Sequence, residues 1–174
     1  MRVEAALLLL AFSAGCAEKE LPSFQVSSLA FGEGEPIPSR HGCDGDDLSP
    51  PLAFFGYPEE TVAFALEMID RDALSGEGVR WLIWNLSADV PYVGEGVPAG
   101  ERPDGAVQGA NAEGFSGYLG PCPVEGEEHE IAITVWALEN PLDLSPGAGE
   151  RDLRRAAEKR AVGLGRLSGT YQRD

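Results

Sequence analysis

The sequence predicts an all-β fold, a sandwich with Greek-key links, carrying one helix just before its last strand. Three observations lead there. Several apolar runs alternate with period two and are rich in β-branched and aromatic residues, the pattern of half-buried strands. The 174 residues include 22 glycines and 13 prolines, too many for a helical bundle and natural for strands joined by turns. One late segment alone carries helical spacing. The strong apolar strands are not consecutive and long loops cross between them, which favours Greek-key links over a simple meander.

In chain order, residues 24–31 read as the first strand and 32–51, full of Gly, Asp and Pro, as a long loop. Residues 51–55 are a short apolar piece with the character of an edge strand. Residues 62–69 form the first strongly apolar strand and 79–86 the second. Residues 129–138 form the third, where Ile131, Ile133 and Val135 alternate with Ala132, Thr134 and Trp136. Residues 150–162 place Leu153, Ala156, Ala157 and Arg160 at helical spacing, with Gly149 before and Gly163 after as a glycine stop. Residues 164–171 read as the final strand. Arg154, Arg155, Lys159 and Arg160 cluster on the helix, either complementing its dipole or offering a docking patch to an acidic partner.

The start of the chain follows different rules. Residues 5–14 are an uncharged, mostly apolar run of ten, too short to span a bilayer and suited to the apolar core of a signal peptide, with Arg2 before it. Ser13, Ala14 and Gly15 then precede Cys16. This looks like a bacterial lipoprotein signal: residues 1–15 are removed, Cys16 becomes the lipidated, palmitate-carrying first residue, and 16–23 form a tether. Residues 24–174 then make a single domain. The expected location is a membrane-anchored lipoprotein, at the outer membrane facing the periplasm or at the cell surface. Ala17 after Cys16 gives no inner-membrane retention cue.

Thirteen basic residues against 29 acidic ones give a formal charge of -16. A nucleic-acid partner needs a positive footprint, and none is present. A polybasic membrane patch is excluded with it. With Cys16 lipidated, Cys43 and Cys122 remain. An even pair in an exported chain suggests a disulfide, while two separate thiols or a metal site with His41 or His129 stay open. No nucleophile elbow, P-loop, dinucleotide fingerprint, HExxH or EF-hand is present, and no cofactor is implied. Asp70-Arg71-Asp72 follows the first strong strand. Its carboxylates point to one side if the strand continues, or accept backbone N–H groups if it turns.

Four segments together resemble the phosphatidylethanolamine-binding protein family, in its bacterial Raf-kinase-inhibitor-like branch. They are Cys-Asp-Gly-Asp-Asp-Leu-Ser-Pro-Pro-Leu at 43–52, Asp-Arg-Asp-Ala-Leu at 70–74, the stretch from Asn111 through Gly-Tyr-Leu-Gly-Pro-Cys-Pro at 117–123 to His129, and Leu-Ser-Gly-Thr-Tyr at 167–171. The resemblance implies a sandwich of two antiparallel sheets with a small anion-accepting pocket at one end. Carried over, Asp70 is the pocket aspartate, Asp72 its supporting carboxylate, Gly120 and Pro121 rim residues, and His129 a pocket histidine. The family's other pocket histidine is replaced here by Arg80. That guanidinium either clamps an oxyanion or pairs with Asp70 or Asp72 and closes the pocket.

The function expected is therefore a non-enzymatic, membrane-tethered binding domain for a small anion or a phospholipid head group. The alternative is an extracytoplasmic protein-interaction or inhibitor module whose pocket is blocked. A hydrolase would need Asp70 and His129 as an acid–base pair acting through an activated water.

Overall fold

A computed structural model describes residues 20–100 and 104–173. The expected signal peptide at 1–15, the lipidated Cys16 and residues 17–19 of the tether lie outside the described residues. The elements run β1 (Ser23–Ser27), β2 (Glu35–Pro36), a 3-10 turn (Ser39–His41), β3 (Leu52–Phe55), β4 (Ala63–Asp70), β5 (Val79–Ser87), β6 (Tyr92–Val93), β7 (Val107–Gln108), β8 (Glu128–Leu138), α1 (Glu150–Arg160) and β9 (Ala161–Gln172).

The two-sheet sandwich expected from the sequence is not what forms. The strands make one nine-stranded sheet in the order β6-β3-β1-β9-β8-β4-β5-β7, with β2 also on β9. The join is β1, which lies parallel to β9, with Ser23 opposite Leu164 and Gln25 opposite Arg166. That pairing carries the ladder across the point where a sandwich would divide. β2 is also parallel to β9, so the sheet is not purely antiparallel.

The sheet curls on itself. β3 and β4 are four strand spacings apart, about 19 Å in a flat sheet. Yet the rings of Phe54 and Phe64 lie 4.7 Å apart, and Phe24 and Phe64 lie 6.0 Å apart. The concave face closes over a core that includes Phe24, Phe54, Leu66, Met68, Trp81 and Ile133. The convex face is covered by α1: Leu153 and Ala157, fully buried, pack among Ala65, Leu82, Trp84, Trp136 and Leu138. Both faces of the central strands are thus dry, which explains why 62–69 and 79–86 read as near-continuous apolar runs.

Three smaller expectations are also corrected. The first strand ends at Ser27, and residues 28–31 leave the ladder. The piece at 51–55 is not an edge strand, since β3 has β1 on one side and β6 on the other. Gly163 is not a helix stop. The chain turns extended at Ala161 (φ -69°, ψ 132°) and enters β9 directly. Gly163 sits inside that strand, where a Cβ would come within 2.8 Å of the Pro58 ring.

Strand β5 is irregular at two places. Phe64 faces Leu86 while Ala65 faces Trp84, so Asn85 is an extra residue, held at φ 60°. Met68 faces Trp81 while Ile69 faces Val79, so Arg80 is a second extra residue. Bulges of this kind re-aim a side chain relative to the simple alternation.

Candidate functional site

The site is built where β4 ends and β5 and β8 begin. β4 stops at Asp70 because its own carboxylate captures the following backbone: Oδ1 accepts the N–H groups of Asp72 (3.2 Å) and Ala73 (3.1 Å). Such an Asp-led turn offers the chain an alternative to the ladder. Across the turn, Arg80 leaves the register and its Nη2 donates to Asp70 Oδ2 at 3.0 Å. From β8, His129 Nδ1 approaches the same carboxylate at 2.9 Å and 3.1 Å. Side-chain exposure is 0% for Asp70, 10% for Arg80 and 14% for His129. A buried carboxylate is costly unless its oxygens are hydrogen-bonded, and these partners meet that need. His129 Nε2, the other ring nitrogen, lies 3.7 Å from Glu127 Oε2. Arg80 Nε is buried and has no hydrogen-bond partner among the described residues.

The other residues expected at the site serve a different geometry. Asp72 Oδ2 accepts the N–H of Glu130 at 2.7 Å, clamping the β4–β5 turn to β8 instead of facing Asp70. Gly120 donates its N–H to Asp47 Oδ1 at 2.6 Å, and Pro121 O accepts the N–H of Cys43 at 3.2 Å. Both therefore bind the loop at 42–47. Cys43 and Cys122 are disulfide-bonded in the same place, with Cα atoms 5.3 Å apart. The segment is tied to the Asp70 cluster through backbone, since Leu119 N donates to Arg80 O at 2.8 Å. His41 stands apart. It is fully buried, with Nδ1 2.7 Å from Leu48 O and Nε2 3.7 Å from Glu95.

Sequence reasoning did not single out Tyr118 or Asp47. Tyr118 lies between β5 and the 3-10 turn, edge-on to Trp81 with ring centroids 5.8 Å apart, and its hydroxyl donates to His41 O at 2.5 Å. Burial first, then the Asp47 charge, push that hydroxyl well above its ordinary value, with Arg80 opposing. Both residues lie inside the quoted segments, so the signal was there; their partners lie 73 and 77 positions away in sequence. Tyr171 likewise donates to Asp44.

On the convex face, a groove of about 650 Å³ is lined by Glu67, Thr134, Arg154 and Arg166 among others. Glu67 is buried and accepts from Arg154 Nε at 2.7 Å. Burial raises its pKa despite Arg154. Hydrogen bonding to Glu67 raises that of Arg154.

Comparison with known proteins bears on this arrangement. Residues 27–172 match the family described as phosphatidylethanolamine-binding protein. A UPF0098 protein of Methanothermobacter thermautotrophicus is 43% identical over 149 residues, which is 85% of this chain and 98% of the relative. The UPF0098 protein YbcL of Escherichia coli is 38% identical over 149 residues, 79% of this chain and 78% of its own. Two crystal structures share the fold: YbcL, at a TM-score of 0.79 and 29% identity over the structural alignment, and a phosphatidylethanolamine-binding protein homologue of Chlamydia trachomatis, at 0.78 and 32%. Each covers 87% of this chain and is itself covered to 99%. The length of the match and the order of its motifs have one conclusion: this chain belongs to the phosphatidylethanolamine-binding protein family.

Proposed function

We propose that this chain is a non-enzymatic binding domain, tethered through Cys16, that takes a small oxyanion at the Asp70–Arg80–His129 cluster. The oxyanion is a phosphate, a carboxylate or the phosphoryl part of a head group. One observation carries this reading: Arg80 is buried with Nη2 on Asp70 and, among the described residues, Nε without a partner. A buried donor left unmade costs about 1–3 kcal/mol, which an incoming oxygen recovers. His129 lies beside it, and Asp70 fixes the orientation of both side chains. Gly120 and Pro121 form the rim in this proposal, held by the disulfide-linked loop, and Asp72 supports from the turn.

The 3.0 Å contact between Arg80 and Asp70 also favours a second reading, in which the pair closes the pocket and the domain acts as an extracytoplasmic protein-interaction module. Calorimetric titration with inorganic phosphate and with O-phosphoethanolamine separates the two. The binding reading expects heat with wild type and loss of it in R80A. Silence from wild type together with binding by R80H would establish the closed pocket instead.

A further inference from the structure

The convex face gathers a second set of cations, on the opposite side of the sheet from Asp70. Side chains alternate along β4, so Glu67 faces the α1 side with Ala65, while Asp70 falls on the face of Leu66 and Met68. The register sets Glu67 opposite Thr134 and Thr134 opposite Arg166, a row across β4, β8 and β9. The ends of that row are two strand spacings apart, about 10 Å. Two residues along the strands, Trp136 faces Leu164, and Leu21 lies in the same groove. Arg154 and Glu158 line the groove from α1, and Arg71 lines it at the end away from Trp136. The two central arginines are held differently. Glu67, only 3% exposed, accepts from Arg154 Nε at 2.7 Å, and Glu150 takes Nη2 at 2.9 Å. Thr134 also hydrogen-bonds Glu67. Desolvation offsets much of the attraction in such a pair, so its main effect is to fix where the guanidinium points. Arg166 is exposed, and its side chain has no hydrogen bond or ion pair among the described residues.

We propose that this groove is a second binding site, for an amphiphilic carboxylate. The carboxylate sits between Arg166 and the remaining edge of Arg154, and its apolar body lies over Trp136, Leu164 and Leu21. A guanidinium fork matches a carboxylate through two parallel hydrogen bonds. Glu67 and Glu158 offset two of the three arginines in the groove, which suits one negative charge better than the two of a phosphate monoester. The apolar row beside the cations gives the ligand its other half: a bare anion would leave Trp136 and Leu164 uncovered, and an uncharged chain would leave Arg166 unmatched. The proposal is independent of any ligand at Asp70.

The test titrates the purified protein with decanoate, kept below micelle formation, and follows the amides of Thr134 and Arg166 and the Trp136 indole by heteronuclear NMR. Decanol supplies the chain without the charge, and acetate the charge without the chain. Saturable decanoate shifts at those three groups, with weaker binding of both comparison compounds, support the proposal. R166Q should weaken decanoate by about tenfold or more, the loss of one charge-assisted contact. The Arg166 side chain is exposed, so this variant keeps the fold. Absence of shifts overturns the proposal, as does an equal response to decanol or an unchanged affinity in R166Q. Shifts centred on Arg80 and His129 instead would place the carboxylate at Asp70 and overturn it too.

Discussion

Asp70 shows how much one residue does when it sits at a strand end. Its carboxylate ends β4, orders the turn to Ala73, and receives Arg80 and His129. The motif resemblance made these three residues legible. The sequence left two readings of Asp70 and Asp72 open, one shared side or acceptance of backbone N–H groups; the strand stops at Asp70 and the second holds, with Asp72 accepting the Glu130 N–H. Glu67 is the opposite case, a carboxylate raised by burial within a strand that looked simply apolar. An acid whose pKa is higher folded than unfolded favours the folded state at low pH. That advantage is lost as pH climbs from the ordinary value of 4.5 through the raised one. Thermal melts from pH 4 upward should therefore show wild-type stability declining relative to E67Q across that window. A pH-independent difference between the two proteins would refute the assignment.

Among elements, the long strands were the legible part. β4, β5 and β8 fall within one residue of the apolar runs read at 62–69, 79–86 and 129–138. Their partners were not legible, because periodicity says which face is buried and nothing about which strand lies alongside. The two-residue strands β2, β6 and β7 carry no periodicity at all. Nor was the extra residue at Arg80 visible, since a bulge leaves composition unchanged. The disulfide joins two loops that meet only in the folded chain, across 79 residues of sequence. Cross-linking so long a loop restricts the unfolded chain, and removing the bond should cost about 2–5 kcal/mol. Urea denaturation of the C43S/C122S double variant against oxidised wild type measures it. Loss of the bond should also loosen the Asp47–Gly120 contact, visible as faster amide exchange at Gly120.

At the scale of the molecule, one curled sheet does the work of a sandwich. A flat sheet offers one set of neighbours to each side chain, whereas the curl brings Phe54 of one arm against Phe64 of the other. Phe64 also touches Phe24 and Tyr57, so it joins strands that share no hydrogen bond with β4. F64A should therefore destabilise at the high end for a core aromatic, about 3–5 kcal/mol, by equilibrium unfolding. A loss below about 1 kcal/mol, small for any buried aromatic, would mean that the arms hold together without it.

The parallel pairing of β1 with β9 also decides what the two ends of the polypeptide can be used for. β9 delivers the chain to the rim of the site: Gln172 faces Glu128, and Arg173 O accepts the N–H of Gly126. An affinity tag or fused protein placed after Arg173 would emerge beside His129 and crowd any ligand there. One joined ahead of Ser23 would hang from the far end and leave the mouth clear.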